Sequence, residues 1–278
     1  MARDPLRSFL DRHERLFVLT GAGCSTDSGI PDYRDSDGGW KRAPPVMFRA
    51  FMDELHTRQR YWARSLVGWQ SFRRAQPNDA HHALAQLERE DRIELLVTQN
   101  VDRLHQAAGS TAVLDLHGRL DIVRCMECEI RLPRERVQIE LLQHNDAWSG
   151  AAVRSAPDGD ADLESVDFSG FRVPACPHCG GVLKPDVVFF GESVPSDRVA
   201  AALRGLEHAD ALLVVGSSLM VYSGYRFVRA AARNGTPIAA VNLGRTRADE
   251  LLTLKVAESC GSALSFLLGR PAVAARTG

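Results

Sequence analysis

Five short apolar runs recur along the chain, and each ends directly in glycine, amide or imidazole residues. They are LFVLT before GAG (16–23), IELLVT before QN (93–100), AVLDL before HG (112–118), ALLVV before GSS (211–218) and PIAAV before NLG (237–244). Continuous apolar runs of this length are typical of strands buried on both faces, as in parallel sheets covered by helices. We predict one strand in each run.

Helical patterns separate these strands. They cover Asp79–Arg89 and Ser196–Leu206, and Asp4 followed by Pro5 is typical of a capped helix start. Alternating strands and helices predict an α/β fold, a Rossmann-like doubly wound parallel sheet. Because ligands of such folds bind beyond the carboxyl ends of the strands, we expect the functional site among the polar residues that follow the five runs.

Two segments interrupt this alternation. Residues 38–77 are rich in aromatic residues and arginine, which predicts a helical insertion, and residues 123–181 contain four of the six cysteines. We predict a Rossmann-like domain of residues 1–37, 78–122 and 182–278 and a smaller lobe of residues 38–77 and 123–181. Residues 149–169 are expected to form a flexible loop, and the tail from Arg270 is expected to be disordered.

Composition narrows the functional classes. The 278 residues are 45% hydrophobic and 25% charged with a net charge of −1, without the basic excess of nucleic-acid binders. No apolar run approaches the roughly 20 residues that span a bilayer, and Asp4, Asp11 and Glu14 make the N-terminus unlike a targeting peptide. We expect a cytoplasmic protein with no nucleic-acid or membrane partner, whose cysteines are metal ligands or free thiols.

Two CxxC pairs, separated by 47 residues, contain Cys125, Cys128, Cys176 and Cys179. Two such pairs can present four thiolates tetrahedrally, the arrangement that structural zinc prefers, and four thiolates leave no open position for catalysis. Two unrelated pairs of buried cysteines are the alternative. We predict a zinc-ribbon module in which the four paired cysteines bind one structural Zn²⁺. Cys24 and Cys260 are not part of this site.

A glycine-rich loop, GAGCSTDSGIPDYR (21–34), follows the first predicted strand. Gly21 and Gly23 would let the backbone approach a pyrophosphate at a helix N-terminus. A glycine-rich turn without a ligand is the alternative, but a carboxylate, a phenol and a guanidinium follow in Asp32, Tyr33 and Arg34. The loop departs from the GxGxxG fingerprint, which disfavours a dehydrogenase that transfers hydride.

Further segments extend this pattern: TQNVDRLHQAAG (98–109), LHG (116–118), GGVLKPDVVFFGE (180–192), GSSL (216–219) and VNLG (241–244). Together with the loop and the CxxC pairs, and in this order, they resemble the sirtuin family over about residues 15–265. DYR in the loop, RQRYWARSLVGW (58–69) and the long gap between the CxxC pairs resemble the class II sirtuins, the branch that includes the mitochondrial lipoamidase and ADP-ribosyltransferase.

The resemblance implies an NAD-dependent protein-lysine deacylase that acts on acyl-lysine proteins or peptides and releases nicotinamide, O-acyl-ADP-ribose and free lysine. A protein mono-ADP-ribosyltransferase that uses the same NAD site is the alternative. The sequence leaves the oligomeric state open. By resemblance, the Rossmann-like domain would bind NAD through Gly21, Ala22, Gly23, Ser25, Asp32, Tyr33, Arg34, Gln99, Asn100, Asp102, Gly216, Ser217, Ser218, Asn242, Leu243, Gly244 and Cys260.

Catalysis is expected to depend on His117, with Asn100 beside the nicotinamide. An imidazole titrates near physiological pH and is suited to act as the base on a ribose hydroxyl, and His117 lies between a predicted strand and Gly118. Because the chain has nine histidines, a structural role is the alternative. We give that role to His81 and His82, which lie on a predicted helix.

Two segments are expected to bind the acylated substrate. By resemblance, residues 187–192 would form a strand that pairs with the peptide through Val187, Phe189, Phe190, Gly191 and Glu192. Tyr61 and Arg64 stand three apart on one face of a predicted helix, and a phenol with a guanidinium suits a carboxylate at the end of an acyl chain. A structural pair is the equal alternative. The hypothesis is a preference for acidic or bulky acyl groups over acetyl.

Overall fold

The structure, a computed structural model, describes residues 4–35, 37, 39–41, 45–148 and 167–269. It divides into two compact units, Met1–Lys41 with Gln76–Leu116 and Val194–Gly278, and Arg42–Ala75 with His117–Ser193. Most of the loop expected at 149–169, and all of the tail from Arg270, lie outside the described residues. Of the helices in the described ranges, none combines the length and the apolar character needed to cross a membrane.

The secondary-structure elements are numbered along the chain. The described strands are β1 Leu16–Thr20, β2 Ile93–Thr98, β3 Val113–Asp115, β4 Gly118–Cys125, β5 Arg131–Pro133, β6 Leu183–Val187, β7 Ala211–Val215, β8 Ile238–Val241 and β9 Leu254–Val256. The described α-helices are α1 Pro5–Arg12, α2 Phe48–Asp53, α3 Leu55–Phe72, α4 Asp79–Arg89, α5 Leu104–Ala107, α6 Arg134–His144, α7 Ser196–His208, α8 Tyr222–Arg233 and α9 Cys260–Leu264.

The first unit contains a parallel sheet in the order β3-β2-β1-β7-β8-β9. Each of the five predicted runs forms a strand of this sheet, and the α/β prediction is confirmed. β9 was not predicted because its three residues, LKV, do not form an apolar run. The order reverses between β1 and β7, so the loops after these two strands lie at the switch point where doubly wound sheets bind ligands.

Both faces of this sheet are buried, which explains the continuous apolar runs. In β1, Leu16 and Val18 pack against α1, α4 and α9, whereas Phe17 and Leu19 pack against α7 and α8. All four side chains are fully buried. Burial of a leucine or phenylalanine side chain contributes about 1.5–3 kcal/mol each, so the central strands anchor the residues that follow them.

The second unit is built on an antiparallel sheet in the order β5-β4-β6, with α2 and α3 as the predicted helical insertion. β4 and β6 pair from Gly118 opposite Val187 to Cys125 opposite Leu183, so both strands belong to this unit. The unit boundaries therefore fall at 116/117 and 193/194, whereas the prediction placed them at 122/123 and 181/182. The core of this unit includes Phe51, Tyr61, Trp62, Val123 and Cys125.

Candidate active site

The loop after β1 and the loop after β7 are in direct backbone contact. Gly23 N donates to Gly216 O at 2.8 Å, and Gly21 N donates to Val215 O at 3.1 Å. A Cβ atom on Gly21 would lie 2.8 Å from Ser217 Cβ, and one on Gly23 would lie 3.0 Å from Gly216 O. These glycines are therefore required by the contact itself, which brings the backbones of both loops to the switch point of the sheet.

Replacing Gly216 by alanine is expected to destabilise the first unit strongly. Gly216 has a φ of +62°, and its Cβ would lie 2.2 Å from Cys24 N. We expect the free energy of unfolding to fall by about 1–2 kcal/mol for the left-handed backbone and by about 1–3 kcal/mol more for the overlap. Urea unfolding measures the loss. Gly235 is the matched control, because its φ is +70° and no neighbouring atom lies within 4 Å of its Cβ position. An equal loss in Gly235→Ala would contradict the argument.

The short turns beside this contact are held by local hydrogen bonds. Ala22–Cys24 is a 3-10 turn, in which Ser25 N donates to Ala22 O at 3.0 Å. After β7, Leu219 N donates to Ser217 Oγ at 3.3 Å. Ser218 O accepts from Arg247 N at 2.9 Å. Hydrogen bonds within and next to both loops therefore fix the backbone of the residues predicted to bind NAD.

Ser25 connects the residues that follow β1 and β2. Its Oγ donates to Asp102 Oδ2 at 2.7 Å and accepts from Asn100 Nδ2 at 3.0 Å. Asn100 Nδ2 also donates to Gly21 O at 3.0 Å, and Leu104 N donates to Asp102 Oδ1 at 2.9 Å. Ser25 is buried, while Asn100 and Asp102 remain partly exposed. The structure thus brings together three of the residues predicted to bind NAD, and their contact with NAD stays a prediction.

Gln99 and Asp102 complete this polar cluster. Gln99 Nε2 donates to Thr20 O at 3.1 Å and to Ser217 Oγ at 2.8 Å, which links the end of β2 to the loop after β7. Burial raises the pKa of Asp102, against the effect of the hydrogen bonds from Leu104 and Ser25. A recessed carboxyl group of this kind is a good acceptor for a neutral amide N–H, the group that a carboxamide presents.

Of the other residues predicted to bind NAD, Asn242 and Leu243 follow β8, and Cys260 begins α9. Asn242 Nδ2 donates within its own turn to Gly244 O at 3.0 Å, and Leu243 between them is 71% exposed. Cys260 Sγ is 3.5 Å from Gly23 O, and burial raises the pKa of this thiol to about 12. Cys260 is therefore a neutral group packed against the glycine loop, while contacts of Asn242 and Leu243 with a nucleotide stay a prediction.

Asp32, Tyr33 and Arg34 form a compact turn with Trp40 and Lys41. Lys41 Nζ is 2.6 Å from Asp32 Oδ1, and the Arg34 guanidinium lies 3.9 Å from the centre of the Trp40 ring. The Tyr33 ring meets Trp40 edge-on at 6.3 Å. An exposed ion pair contributes only about 0–1 kcal/mol. These polar groups are ordered by local contacts, and their role toward NAD stays a prediction.

Two buried histidines lie behind the polar cluster. His81 Nε2 is 3.5 Å from Ser25 Oγ, and His105 Nε2 is 2.9 Å from Thr20 Oγ1. Their ring centres are 4.8 Å apart. Burial lowers the pKa of His81 to about 4 and lowers that of His105 well below its ordinary value, so both are neutral near pH 7. The sequence predicted a structural role for His81, but His105 in the segment after β2 was overlooked.

Acidification is expected to destabilise the first unit through these histidines. Because the pKa of His81 is lower in the folded chain than in the unfolded chain, the unfolded chain binds more protons below about pH 6.5. The free energy of unfolding then falls as the pH drops from 6.5 toward 4. For His81, whose pKa falls from 6.5 to about 4, the loss is on the order of 3 kcal/mol.

His81→Gln keeps a side chain that can cap α4 and should flatten this pH dependence. Urea unfolding of wild type and variant at pH 7 and pH 5 measures the difference. The same fall in unfolding free energy for both proteins would sink the prediction.

His117 lies directly before β4 in the second unit. Its carbonyl oxygen accepts from Val188 N at 2.8 Å. Gly118 has a φ of +85°, and a Cβ atom there would lie 2.0 Å from Asp186 O, so only glycine fits beside His117. The backbone of His117 is therefore fixed, while its side chain is partly exposed. A partly exposed imidazole on a fixed backbone can exchange protons, as the predicted base requires.

Within the segment 187–192 of the described chain, only Val187 belongs to a strand, and the pairing of this segment with a peptide stays a prediction. β6 ends at Val187, and the chain turns at Gly191, whose φ is +81°. Phe190 forms an isolated parallel bridge with Met47, where Phe48 N donates to Phe190 O at 2.8 Å. β6 ends at Val187, which pairs with Gly118, the first residue of its partner strand β4.

Glu192 is engaged inside the second unit. Its Oε2 accepts from Phe189 N at 2.8 Å and is 3.1 Å from Lys184 Nζ. Lys184 is 3% exposed and lies 4.6 Å from the centre of the Phe189 ring, and burial lowers its pKa. Glu192 and Lys184 therefore hold the turn in place, whereas the prediction gave Glu192 to the peptide.

Tyr61 and Arg64 both lie on α3, as predicted. Tyr61 is 3% exposed and packs edge-on against Phe51 and tilted against Phe189, each at 5.3 Å between ring centres. Arg64 is partly exposed. The burial of Tyr61 favours the structural alternative for its ring, and the contact of either residue with an acyl chain stays a prediction.

The four paired cysteines form one cluster. Their Sγ atoms all lie within 4.8 Å of one another. Cys125 and Cys179 Sγ are 3.5 Å apart, and Cys128 and Cys176 Sγ are 3.7 Å apart. Four sulfurs at the usual distance from a tetrahedral zinc ion lie about 3.8 Å apart, and a disulfide would need about 2 Å. The spacing fits one zinc ion.

Each CxxC pair is shaped by a tight turn. Gly180 has a φ of +76°, and its N–H donates to Cys176 O at 2.8 Å. On the other side, Glu129 has a φ of +61°, and Cys125 N donates to Ile130 O at 3.0 Å. These turns aim the sulfurs at a common centre. The arrangement is a closed set of four thiolates, which is typical of structural zinc.

Comparisons of the sequence and of the structure with known proteins all match the chain to the same family. The Sir2 family model matches residues 21–223. An NAD-dependent protein deacetylase of Xanthomonas axonopodis pv. citri (strain 306) is 69% identical over 266 residues, which are 96% of this chain and 91% of that protein. A solved structure described as "Sir2-p53 peptide-NAD+" matches with a TM-score of 0.74 and 29% identity over 96% of this chain and 97% of its own. Another, "Structure of Sir2Tm bound to a propionylated peptide", matches with a TM-score of 0.74 and 31% identity over the same shares.

Proposed function

The chain belongs to the Sir2 family, and from this premise we propose that it removes acyl groups from the lysine side chains of proteins and consumes NAD. The observation that carries the proposal is the cluster of Ser25, Asn100 and Asp102 at the carboxyl ends of β1 and β2. This cluster offers amide and carboxyl groups suited to a carboxamide, at the edge of the sheet where such folds bind nucleotides.

The reaction is a transfer of the acyl group to ADP-ribose. The acyl-lysine carbonyl oxygen attacks the ribose carbon that bears nicotinamide, and nicotinamide leaves. A ribose hydroxyl, deprotonated by His117, then attacks the resulting alkylamidate. Water completes the release of free lysine and O-acyl-ADP-ribose. In this scheme Asn100 and Asp102 hold the carboxamide, and Gln99 contacts the nicotinamide ribose.

The zinc ion takes no part in these steps. Four thiolates from Cys125, Cys128, Cys176 and Cys179 would complete its shell, which leaves no position for water or substrate. Its proposed role is to hold β4 and β6, and with them the backbone around His117. Because thiolate ligands need reducing surroundings, the cytoplasm is the compartment that we propose.

An acyl-peptide panel with NAD tests the proposal. We expect nicotinamide release that depends on the acylated peptide, together with free lysine in the product peptide. A mono-ADP-ribosyltransferase would instead increase the mass of a protein acceptor by one ADP-ribose, which mass spectrometry detects. Nicotinamide release without any deacylated peptide would overturn the deacylase assignment.

The same panel tests the acyl preference. If Arg64 binds a carboxylate at the end of the acyl chain, kcat/KM for a glutaryl peptide should exceed that for an acetyl peptide. Arg64→Met should remove this advantage, a loss of about 10-fold or more for a charge-assisted hydrogen bond of about 1.5–3 kcal/mol. The acetyl peptide is the internal control and should be unaffected. A clear acetyl preference in the wild type would refute the hypothesis.

A further inference from the structure

A second group of metal-binding side chains lies inside the first unit, apart from the four paired cysteines. Cys24, His81 and His105 each place a ligand atom within 4.8 Å of the other two, and all three residues are buried. A sulfur and a nitrogen on one tetrahedral zinc ion lie about 3.6 Å apart. From a separation of 4.8 Å, a sulfur and a nitrogen would have to approach by about 1.2 Å, and the two nitrogens by about 1.4 Å.

His105 has a ring nitrogen without a hydrogen-bond partner. Thr20 Oγ1 donates to Thr98 Oγ1 at 2.8 Å and so receives the Nε2 proton of His105 at 2.9 Å. The remaining atom, Nδ1, is buried and has no hydrogen-bond partner among the residues that the structure describes. The residue is 1% exposed. A buried lone pair without a donor is costly, and a metal ion is one group that would satisfy it.

The other two ligands are held only weakly by their present contacts. His81 Nδ1 accepts from Asn78 N at 3.3 Å, and its Nε2 is 3.5 Å from Ser25 Oγ, both at the long end for hydrogen bonds. Burial raises the pKa of the Cys24 thiol, and the nearby carboxylates of Asp102 and Asp27 raise it further. The same carboxylates would attract a divalent cation.

We propose that Cys24, His81 and His105 bind a divalent metal ion of borderline softness, with Zn²⁺ as the best fit. One thiolate and two neutral imidazoles match the ligands that zinc takes in sites with three protein ligands, which keep a fourth position for water. Binding replaces the Cys24 proton, which is released to solvent, so affinity falls at lower pH. Metal binding at this site does not require the proposed deacylation.

Occupation of this site would affect the polar cluster. A metal ion on His81 Nε2 moves the ring proton to Nδ1, which can then no longer accept from Asn78 N. It also breaks the contact of Nε2 with Ser25 Oγ, the atom that positions Asn100 and Asp102. Bound metal should therefore change NAD binding as well as stability. Zinc at the four paired cysteines has no such connection within the first unit.

Metal stoichiometry of the full chain tests the site. After dialysis against micromolar zinc, we expect two zinc ions per wild-type chain and one per Cys24→Ala chain. Cys260→Ala is the matched control, because it removes a neighbouring buried cysteine outside the group and should keep two ions. A single ion in the wild type, or two ions in Cys24→Ala, would overturn the proposal.

Cadmium NMR of the wild type provides a second measurement that does not depend on a folded variant. We expect one resonance typical of four thiolates and a second, shifted upfield, typical of one thiolate and two imidazoles. A spectrum that shows the four-thiolate resonance and no second resonance from bound cadmium would also overturn the proposal.

Discussion

Replacing His117 by alanine is expected to lower kcat for lysine deacylation by about 100-fold to 10,000-fold, the usual contribution of a general base. The base acts after nicotinamide has left, so exchange of labelled nicotinamide into NAD should persist while free lysine no longer forms. Zinc content should not change, because His117 is not among the clustered cysteine ligands. Product analysis by mass spectrometry and the exchange assay measure the two steps separately.

His82→Ala is the matched control for this experiment. His82 is exposed on α4, in the first unit, and has no role in the proposed mechanism. Its replacement should leave turnover unchanged. Undiminished deacylation in His117→Ala would refute the assignment of the base, whereas equal losses of exchange and deacylation would indicate a binding role for His117.

The sheet could be predicted because its strands are buried on both faces. In β1 and β7 every residue is buried, so the apolar run itself marks the strand. The grouping of the four paired cysteines could also be predicted, because the CxxC spacing reflects the turn that a metal site requires. The position of Asn100 followed from the strand pattern, since parallel strands bring their carboxyl ends to one edge, whereas Asp102 was predicted from the resemblance to sirtuins.

Other features depend on tertiary contacts that no local pattern reveals. The assignment of β4 and β6 to the second unit follows from their pairing with each other. The end of β6 at Val187 follows from its pairing with Gly118, where its partner strand β4 begins. The grouping of Cys24 with two histidines joins residues from the loop after β1, from α4 and from α5. A sequence spacing of more than 50 residues between Cys24 and His81 carries no metal-binding signature.

The four-thiolate assignment makes a strong prediction about stability. Cys128→Ser is expected to reduce bound zinc by one ion per chain and to destabilise the second unit by more than about 3 kcal/mol, since binding of structural zinc contributes to folding directly. Zinc analysis and hydrogen exchange of the amides in β4 and β6 measure the effect. Amides of the central strands β1 and β7 are the internal reference, because they belong to the first unit.

His178→Ala distinguishes a site of four thiolates from a site in which a histidine replaces one of the cysteine ligands. His178 lies between Cys176 and Cys179 and is exposed, so its imidazole is a rival ligand within the second CxxC pair. Its backbone N–H lies 3.4 Å from Cys176 Sγ, a contact that alanine retains. Because four sulfurs complete the shell, the variant should keep its zinc and its exchange protection. Loss of zinc from His178→Ala as complete as from Cys128→Ser would show that the histidine ligates the metal, and the closed four-thiolate site would be wrong.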